Sequence, residues 1–565
     1  MIYHEVIVVG GGLASLRAAI EVGDHLDVAV LSQVYPVRSH SGAAQGGVNA
    51  PLANNPESRD DNWEKHAFDT VKGSDYLADQ NAVEIMTKEA PARVYELEHW
   101  GCPFSRFEDG TIAQRPFGGA GYPRTCYCAD RTGLVMLHTM YEQSVKRGVK
   151  VYNEWVVLGL VVEDGVCRGV IALDLVSGRI EAFQAEAVIF GTGGAGRTYG
   201  NSTNAVINTG SGMAVAYHAD VGLKDMEFIQ FHPTTLFGTN ILITEGARGE
   251  GGILVNNQGR RFMEDYAPKL MELAPRDIVS RSIQTEINEG RGFENAYVHL
   301  DLRHLGAQKI MERLPGIREI TVDFAGVDPI KEPIPVQPGQ HYSMGGIDCD
   351  KDGATEVRGF YAAGECACVS VHGANRLGGN SLLDTIVFGQ RAGAAALEYV
   401  RAKSERKAGE KSLEDALGQT EQAIRRLMEG TGTEDLSAVR EEMKQIMASN
   451  VGIFREESAM AVAVDTILEL QERYRRGGIK YKGKKFNLDL LWNIELEGML
   501  DVAEVIAKGA LARQESRGSH FRMDFTERHD ENWLKHTVAK YTPDGPKFSS
   551  KEVTITQWQP QARTY

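Results

Sequence analysis

Apolar and polar positions at the start of the chain follow the order expected for a strand, a glycine turn, a helix and a second strand. Residues 6–9 are all valine or isoleucine, glycines occupy 10–12, and a helix is predicted from there to about Val22. A second apolar run at 28–31 predicts the next strand. This is the G-x-G-x-x-G pattern of a dinucleotide-binding βαβ unit, with Ser15 in place of the third glycine. It predicts a tight turn close to a pyrophosphate, which the N-terminus of the helix stabilises.

Two later apolar runs predict further strands of the same fold. Residues 187–190 continue into Gly-Thr-Gly-Gly at 191–194, where small side chains let the strand end pack against a bound group. Residues 359–365 combine a strand pattern with the acid Glu365, and a helix rich in alanine and glycine follows at about 378–400. The positive N-terminal end of that helix would stabilise negative charge. Each segment alone is typical of any strand–turn–helix unit, whereas four in this order indicate one nucleotide-binding fold.

The remaining regions have different patterns. Residues 236–340 mix helical and strand-like patterns between nucleotide-binding segments, which predicts an inserted domain. The charged residues 403–411 predict a linker, and the helix-periodic residues 413–509 predict a small antiparallel bundle. The end of the chain has short β-like runs such as 553–556. The predicted domains are 1–235 and 342–402 for the two parts of the nucleotide-binding domain, 236–341 for the insertion, 403–510 for the helical domain and 511–565 for the C-terminal domain.

Composition narrows the class of protein. The 565 residues are 42% hydrophobic and 24% charged, as in soluble globular proteins. The formal net charge of −16 argues against nucleic acid as a partner, because phosphate binding needs clustered Lys and Arg. Seven cysteines, an odd number, favour reduced thiols, and their C-x-C pairs lack the spacing of zinc or iron–sulfur ligands, so no metal site is predicted. The first strand begins almost at Met1 and no apolar run approaches ~20 residues, so we expect neither a leader peptide nor a membrane span.

The segment 38–47 places one imidazole among small residues just after the second strand. Glycine and alanine leave room for a large flat ring near the backbone, and His40 supplies a nucleophilic nitrogen beside it. A lone surface histidine is the alternative, but these neighbours favour a flavin-contacting loop. Ser32 stands where an NAD-binding fold usually carries an acidic ribose ligand, which favours FAD over NAD.

Five further segments concentrate polar side chains suited to a dicarboxylate. Two carboxylates four carbons apart need donors at both ends, and guanidinium groups bind carboxylates bidentately. The segments are 230–234, 244–252, 275–277, 340–346 and 372–381.

With the His40 loop and residues 513–518, these segments resemble the flavoprotein subunits of the succinate dehydrogenase and fumarate reductase family over nearly the whole chain. The resemblance implies an α/β fold: an FAD-binding Rossmann-like domain with an inserted α+β capping domain, then a helical domain and a small C-terminal domain. It also implies that His40 carries FAD covalently. Ser211 stands where many relatives carry an aspartate, which we interpret as subgroup variation. The implied cofactor-binding residues are Gly10, Gly12, Leu13, Ala14, Ser15, Ser32, Arg38, Ser39, His40, Ser41, Ala44, Gln45, Gly46, Gly47, Ser211, Glu365, Arg376, Ser381 and Leu382.

The family resemblance also implies where the substrate binds. One carboxylate would meet His232 and Thr244, and the other would meet His341 and Arg376. Twisting the second carboxylate out of plane would polarise the double bond, and hydride would pass between the flavin and one substrate carbon.

Proton exchange at the other carbon is assigned by resemblance to Arg276, through a relay of Glu245 and Arg248. Arginine is a poor general base by its reference pKa, because it is nearly always protonated. The spacing of Glu245 and Arg248 lets their side chains meet if the segment is helical. From the residues alone, a structural ion network of Arg248, Glu250 and Arg276 is the alternative.

The resemblance therefore implies a succinate:quinone oxidoreductase subunit that interconverts succinate and fumarate. It implies an iron–sulfur subunit, a membrane anchor with quinone, and a peripheral location on the cytoplasmic face of the cell membrane. The direction of turnover depends on the quinone and the partner subunits. One alternative enzyme is L-aspartate oxidase, which shares the fold but holds FAD without a covalent bond and lacks the histidine matching His40. A non-catalytic flavin-binding scaffold is the alternative from another class, and a turnover assay separates it.

Overall fold

The computed structural model describes residues 1–404 and 406–563 of the chain. The strands are β1 (Ile2–Val9), β2 (Val28–Ser32), β3 (Val48–Asn49), β4 (Gln114–Arg115), β5 (Thr125–Cys126), β6 (Lys150–Asn153), β7 (Trp155–Glu163), β8 (Val166–Asp174), β9 (Ile180–Phe190), β10 (Leu223–Lys224), β11 (Ile229–Leu236), β12 (Ile253–Val255), β13 (Val298–Asp301), β14 (Ile334–Ser343), β15 (Gly346–Asp348), β16 (Phe360–Ala362), β17 (Ala367–Cys368), β18 (Lys535–Lys540) and β19 (Lys547–Glu552).

The α-helices fill the connections between these strands and most of the region after β17. They are α1 (Leu13–Gly23), α2 (Trp63–Gly73), α3 (Gln80–His99), α4 (Thr132–Lys146), α5 (Ser211–His218), α6 (Glu245–Gly249), α7 (Met263–Tyr266), α8 (Arg276–Asn288), α9 (Gly306–Arg313), α10 (Pro315–Ala325), α11 (Asn380–Ala402), α12 (Glu410–Glu429), α13 (Leu436–Asn450), α14 (Glu457–Arg475), α15 (Leu488–Ala512) and α16 (Asp530–Trp533). Within residues 1–404 and 406–563, no helix combines the length and the apolar character needed to cross a bilayer.

The predicted nucleotide-binding sheet is built around β1. Its parallel neighbours are β2 and β9, and β16 pairs in parallel with the end of β9. Val9 lies opposite Leu31 and Phe190, and Phe190 lies opposite Ala362. The carboxyl ends of all four strands therefore reach the same edge of the sheet, which is where ligands bind in open α/β sheets.

The apolar run at 6–9 is continuous because both faces of β1 are buried. Val6 and Val8 belong to a hydrophobic cluster with residues of α1 and α11. Ile7 and Val9 belong to another, with residues of α5 and α15. Successive strand residues point to opposite faces, so a strand covered on both sides needs apolar residues at every position.

The inserted region has its own antiparallel sheet, in the order β11, β14, β13, β12. Its hydrophobic core is formed by buried residues between Leu236 and Val336. Strands β11 and β14 pair from Ile229 and Ser343 at one end to Leu236 and Val336 at the other. The predicted boundaries at 236 and 341 fall within this strand pair, which connects the two regions.

Two predictions for the later part of the chain need correction. Helix α12 packs mainly on the sheet, where Leu413 lies with residues of β7, β8 and β9, while α13, α14 and α15 pack on one another. The later half of α12, at 424–428, packs in one cluster with Leu490 and Leu491 of α15. Helical periodicity shows that a face is apolar but not which partner covers it. The linker is also shorter than predicted, because α12 begins at Glu410, and Glu405 of that linker lies outside the described residues.

The β-like run at 553–556 is not a strand. Strand β19 ends at Glu552, and the backbone N–H groups that follow donate to side chains. Thr554 N–H donates to the Asp79 carboxylate over 2.7 Å, and Thr556 N–H donates to Gln80 Oε1 over 3.1 Å. These long-range acceptors replace the partner strand that the local composition predicts.

Candidate functional site

A cavity of about 720 Å³ opens where the parallel strand ends face the antiparallel sheet. Residues that follow β1, β2, β9 and β16 line one part of it, at 10–12, 32–34, 191–193 and 363–365. Side chains from β11, β14, α6 and α8 line another part. Such a volume suits a small-molecule ligand or cofactor. The dinucleotide-binding segments and the predicted substrate residues therefore share one cavity.

Three helices begin at this cavity without a side-chain N-cap. The N-cap residues of α1, α5 and α11 are Gly12, Gly210 and Gly379, and none accepts a capping hydrogen bond. Helix N-termini carry unsatisfied N–H groups and partial positive charge, and so favour anions. This arrangement fits the pyrophosphate of FAD and negative charge on a reduced flavin.

At Gly10, the backbone that follows β1 lies very close to the backbone that follows β9. Its φ is +111°, and an added Cβ would collide with the carbonyl oxygen of Gly191, so a glycine is required. Ser15, in place of the third glycine, donates its hydroxyl to Gly191 O over 3.1 Å and lies 3.4 Å from Val9 O. Ser15 therefore ties the helix to both strand ends and does not line the cavity.

His40 lies in a short 3₁₀ turn, His40–Ala43, and lines the cavity. Its Nδ1 accepts a hydrogen bond from the Ala205 backbone N–H over 3.3 Å. Burial, and then the charge of Arg197, lower the pKa of His40 from 6.5 to about 4. The imidazole is therefore neutral at physiological pH, and Nε2 is the ring nitrogen left for a ligand.

Most of the predicted site residues line the cavity. Those that do are Gly10, Gly12, Leu13, Ala14, Ser32, Ser39, His40, Ser41, Ala44, Gln45, Gly46, Gly47, Ser211, His232, Thr244, Glu245, Arg276, His341, Glu365, Arg376, Ser381 and Leu382. Ser15, Arg38 and Arg248 do not. Arg38 is exposed at the surface, and its contact with the cofactor stays a prediction.

Two guanidinium groups share one acceptor in the buried part of the site. Arg276 Nη1 donates to Gln230 Oε1 over 3.0 Å, and Arg376 Nη2 donates to the same oxygen over 2.9 Å. Gln230 Nε2 donates to Asn375 Oδ1 and to Arg376 O, which fixes the amide. Burial lowers the pKa of Arg376 to about 9, so the group remains a cation at neutral pH.

Two neutral imidazoles lie beside this pair. The ring centroids of His232 and His341 are 4.9 Å apart. Burial, and then the charge of Arg276, lower the pKa of each well below its usual range. His341 Nδ1 lies 2.8 Å from Thr203 Oγ1, and His232 Nδ1 lies 3.2 Å from Thr234 N and 3.1 Å from Thr234 O. Each Nε2 is thus left for a ligand.

Glu245 is the direct partner of Arg276. Arg276 Nε donates to Glu245 Oε2 over 2.6 Å, and the Gly118 N–H donates to the other oxygen. Burial alone would raise the pKa of Glu245, but the charges of Arg276 and Arg248 outweigh it and lower that pKa. The carboxylate is therefore ionised and adjacent to Arg276, to which the family resemblance assigns proton transfer.

Arg248 lies in the helical turn that the spacing predicts, but among the described residues it has no hydrogen bond to Glu245. Arg248 Nη1 donates to Glu272 O, while Nε and Nη2 are buried without a partner. Within the described residues, Glu250 forms an ion pair with Lys309 over 3.4 Å and none with Arg248 or Arg276, so the alternative network of these three residues is not formed. Helical spacing permits an i, i+3 contact, but Arg276 occupies Glu245 instead.

Several buried polar atoms at the cavity have no partner in the described part of the chain. They are Gln45 Oε1, Thr192 Oγ1 and Arg376 Nε. Buried polar atoms in native proteins are nearly always hydrogen-bonded, so these atoms indicate a ligand. Together with the uncapped helices, they fit a dinucleotide and a carboxylate.

Sequence reasoning assigned no role to three residues that organise the site. Gln230 links the two arginines, Thr203 holds His341, and Tyr342 lies under Arg376 with its ring centroid 4.3 Å from Cζ. Gln230 and Tyr342 occur in the polar segments. The only sign of their importance in the sequence is that Gln230 lies two positions before His232 and Tyr342 directly follows His341. Thr203 lies in none of those segments.

The fold and the site together define an FAD-binding oxidoreductase. Residues 5–382 match the model of an FAD binding domain, and residues 440–565 match that of the fumarate reductase flavoprotein C-terminus.

The chain is 46% identical to the fumarate reductase flavoprotein subunit of Mycobacterium tuberculosis, covering 100% of this chain and 99% of that one. It is 45% identical to the succinate dehydrogenase flavoprotein subunit of Rickettsia conorii, covering 98% and 96%. It superposes on E. coli quinol fumarate reductase FrdA with a TM-score of 0.96 at 42% identity, covering 100% and 99%. The chain belongs to the succinate dehydrogenase and fumarate reductase flavoprotein subunit family.

Proposed function

We propose that this chain interconverts succinate and fumarate on FAD attached covalently to His40. The observation that carries the proposal is the buried pair Arg276 and Arg376, which share Gln230 in the same cavity as the dinucleotide-binding strand ends. Two fixed cations beside two neutral imidazoles suit a small dianion, because together they supply positive charge and hydrogen-bond donors for its carboxylates.

The donors are arranged for a carboxylate at each end. His232 and Thr244 would receive one carboxylate, and His341 and Arg376 the other. Thr244 Oγ1 accepts from Gly246 N–H over 3.1 Å, so its own hydrogen is left to be donated. Each neutral imidazole would donate through Nε2–H in the tautomer whose Nδ1 is an acceptor. Fixing both ends would orient the central carbons and hold the second carboxylate out of plane.

The bound flavin would supply a hydride acceptor for succinate in its oxidised form and a hydride donor for fumarate in its reduced form. Arg276 would hold the proton that the other carbon gains or loses. Glu245 accepts from Arg276 Nε and keeps the guanidinium oriented. The buried Arg248, whose charge also acts on Glu245, would continue the relay. Such positioned acid–base groups contribute ~10²–10⁴-fold to rate.

Electrons that enter or leave the flavin need a further carrier. We propose an iron–sulfur subunit and a membrane anchor with quinone, with this chain peripheral on the cytoplasmic face of the membrane. The support is family membership and the likeness to a quinol fumarate reductase. The direction of turnover would follow the potential of the quinone and the partner subunits.

The deciding experiment measures dye-coupled succinate oxidation and fumarate reduction by the FAD-loaded chain. Turnover in either direction, inhibited by malonate, is the expected result. Oxidation of L-aspartate without turnover of succinate would favour the aspartate oxidase alternative. Absence of turnover with all three substrates in flavin-loaded protein would favour a non-catalytic scaffold.

Replacing His40 with serine is expected to leave FAD bound only reversibly. Ala205 N–H fixes the imidazole through Nδ1, so Nε2 is the proposed attachment atom. Acid-precipitated wild-type protein should keep its flavin fluorescence on a denaturing gel, and the variant should lose it. Succinate oxidation should also fall, because losing the link usually lowers the flavin potential.

His138→Ser, at an exposed position on α4, is the matched control and should retain the flavin. Free flavin in the wild-type supernatant would reject covalent attachment.

The rate of flavin attachment should depend little on the protonation of His40 between about pH 5.5 and 8. Because burial lowers the pKa of His40 to about 4, the imidazole gains a proton only at more acid pH. Incubating apoprotein with FAD at several pH values and measuring acid-stable flavin tests this. A rate that halves near about pH 6.5, the value for an ordinary histidine, would contradict the lowered pKa of His40.

A further inference from the structure

Arg376 is held on two sides by residues that face each other across a strand pair. Gln230 on β11 lies opposite Tyr342 on β14. Gln230 accepts from Arg376 Nη2, and the Tyr342 ring lies 4.3 Å from Arg376 Cζ. One cross-strand pair therefore contacts the edge and the face of the guanidinium, and leaves Nε without a partner in the described residues.

The Tyr342 ring is itself fixed by a buried polar group of side chains. Its hydroxyl lies 3.2 Å from His372 Nε2 and 3.5 Å from Asp384 Oδ2. The His372 ring meets the tyrosine edge-on, with centroids 5.3 Å apart. Asp384 lies in the first turns of α11, whose N-terminus opens on the cavity. The ring is thus tied to β14, to α11 and to the loop that carries Arg376.

The proton states agree with this arrangement. Burial, and then the charge of Asp384, raise the pKa of Tyr342 well above its usual range, so the hydroxyl keeps its proton. Burial lowers the pKa of His372, so its ring is neutral. Tyr342 therefore presents an uncharged aromatic face to a buried cation, an arrangement whose attraction is strongest away from water.

We propose that Tyr342 is a positioning residue that sets dicarboxylate affinity by holding the face of Arg376. This inference rests on the proposed function and deepens it. The aromatic face fixes the plane of the guanidinium, so that its remaining donors meet a carboxylate bidentately. The hydroxyl contacts with His372 and Asp384 help to hold the ring in place, but contribute less to dicarboxylate affinity than the ring itself.

The test compares Tyr342→Phe with Tyr342→Leu in the FAD-loaded chain. Malonate binding is measured through the change in flavin absorbance and through the shift in unfolding temperature, and KM and kcat are measured separately. The leucine variant should bind malonate about tenfold more weakly, with a raised KM and a smaller change in kcat. The phenylalanine variant, which keeps the ring, should stay close to wild type. Tyr361→Leu, at a buried tyrosine of β16 outside the cavity lining, is the matched control for lost packing and should bind malonate normally.

Several outcomes would overturn the inference. Equal loss of affinity in both variants would assign the effect to the hydroxyl contacts, and normal affinity in the leucine variant would remove the ring from binding. If the leucine variant is recovered without FAD, Tyr342→Met fills more of the volume and must show the same weakened binding. Failure of the wild-type chain to bind malonate or turn over succinate would instead reject the proposed function.

Discussion

Replacing Arg276 with alanine is expected to lower succinate–fumarate turnover by ~10²–10⁴-fold, the usual contribution of a positioned acid–base group. Arg276 is the first residue of α8, is buried, and donates to both Glu245 and Gln230. Substrate binding should survive better, because His232, Thr244, His341 and Arg376 remain. The measurement is dye-coupled turnover at equal FAD content, with malonate binding measured in parallel.

The Arg276–Glu245 pair is buried, so the variant should also unfold at a lower temperature. Turnover is therefore measured well below that temperature. Glu245→Gln should slow turnover too and shift its pH profile, because the amide carries no charge to orient Arg276. Arg281→Ala, at the same residue type further along α8 and outside the cavity lining, is the matched control and should lose far less activity. Near-normal turnover in folded, flavin-loaded Arg276→Ala protein would reject the proton-transfer role.

Local patterns were enough to predict the strand ends that carry the cofactor segments. The apolar residues 6–9 and the glycines that follow them specify β1 and its turn, since few other structures satisfy both. The same holds for the strand that ends at Phe190 and for the helix that begins at Asn380. In each case the signal lies within about ten consecutive residues, the range over which backbone periodicity is informative.

Contacts between distant segments could not be predicted in this way. Gln230 and Tyr342 are 112 positions apart by their numbers and meet only because β11 pairs with β14. Arg248 is at helical spacing from Glu245, yet Arg276 takes the carboxylate from another element. The run at 553–556 has strand composition, yet Asp79 and Gln80 satisfy its N–H groups. Spacing limits which residues can meet, and tertiary packing selects among them.

Replacing Arg376 with lysine is expected to weaken malonate binding by roughly tenfold to a hundredfold, although the charge is kept. Lysine has no planar fork, so it loses the bond from Nη2 to Gln230, the stacking on Tyr342 and the donor at Nε. The inhibition constant for malonate measures the effect. Arg124→Lys, at a buried pair with Asp61 outside the cavity lining, is the matched control and should lose thermal stability without weaker inhibition. An unchanged inhibition constant in the Arg376→Lys protein would remove this arginine from the dicarboxylate site.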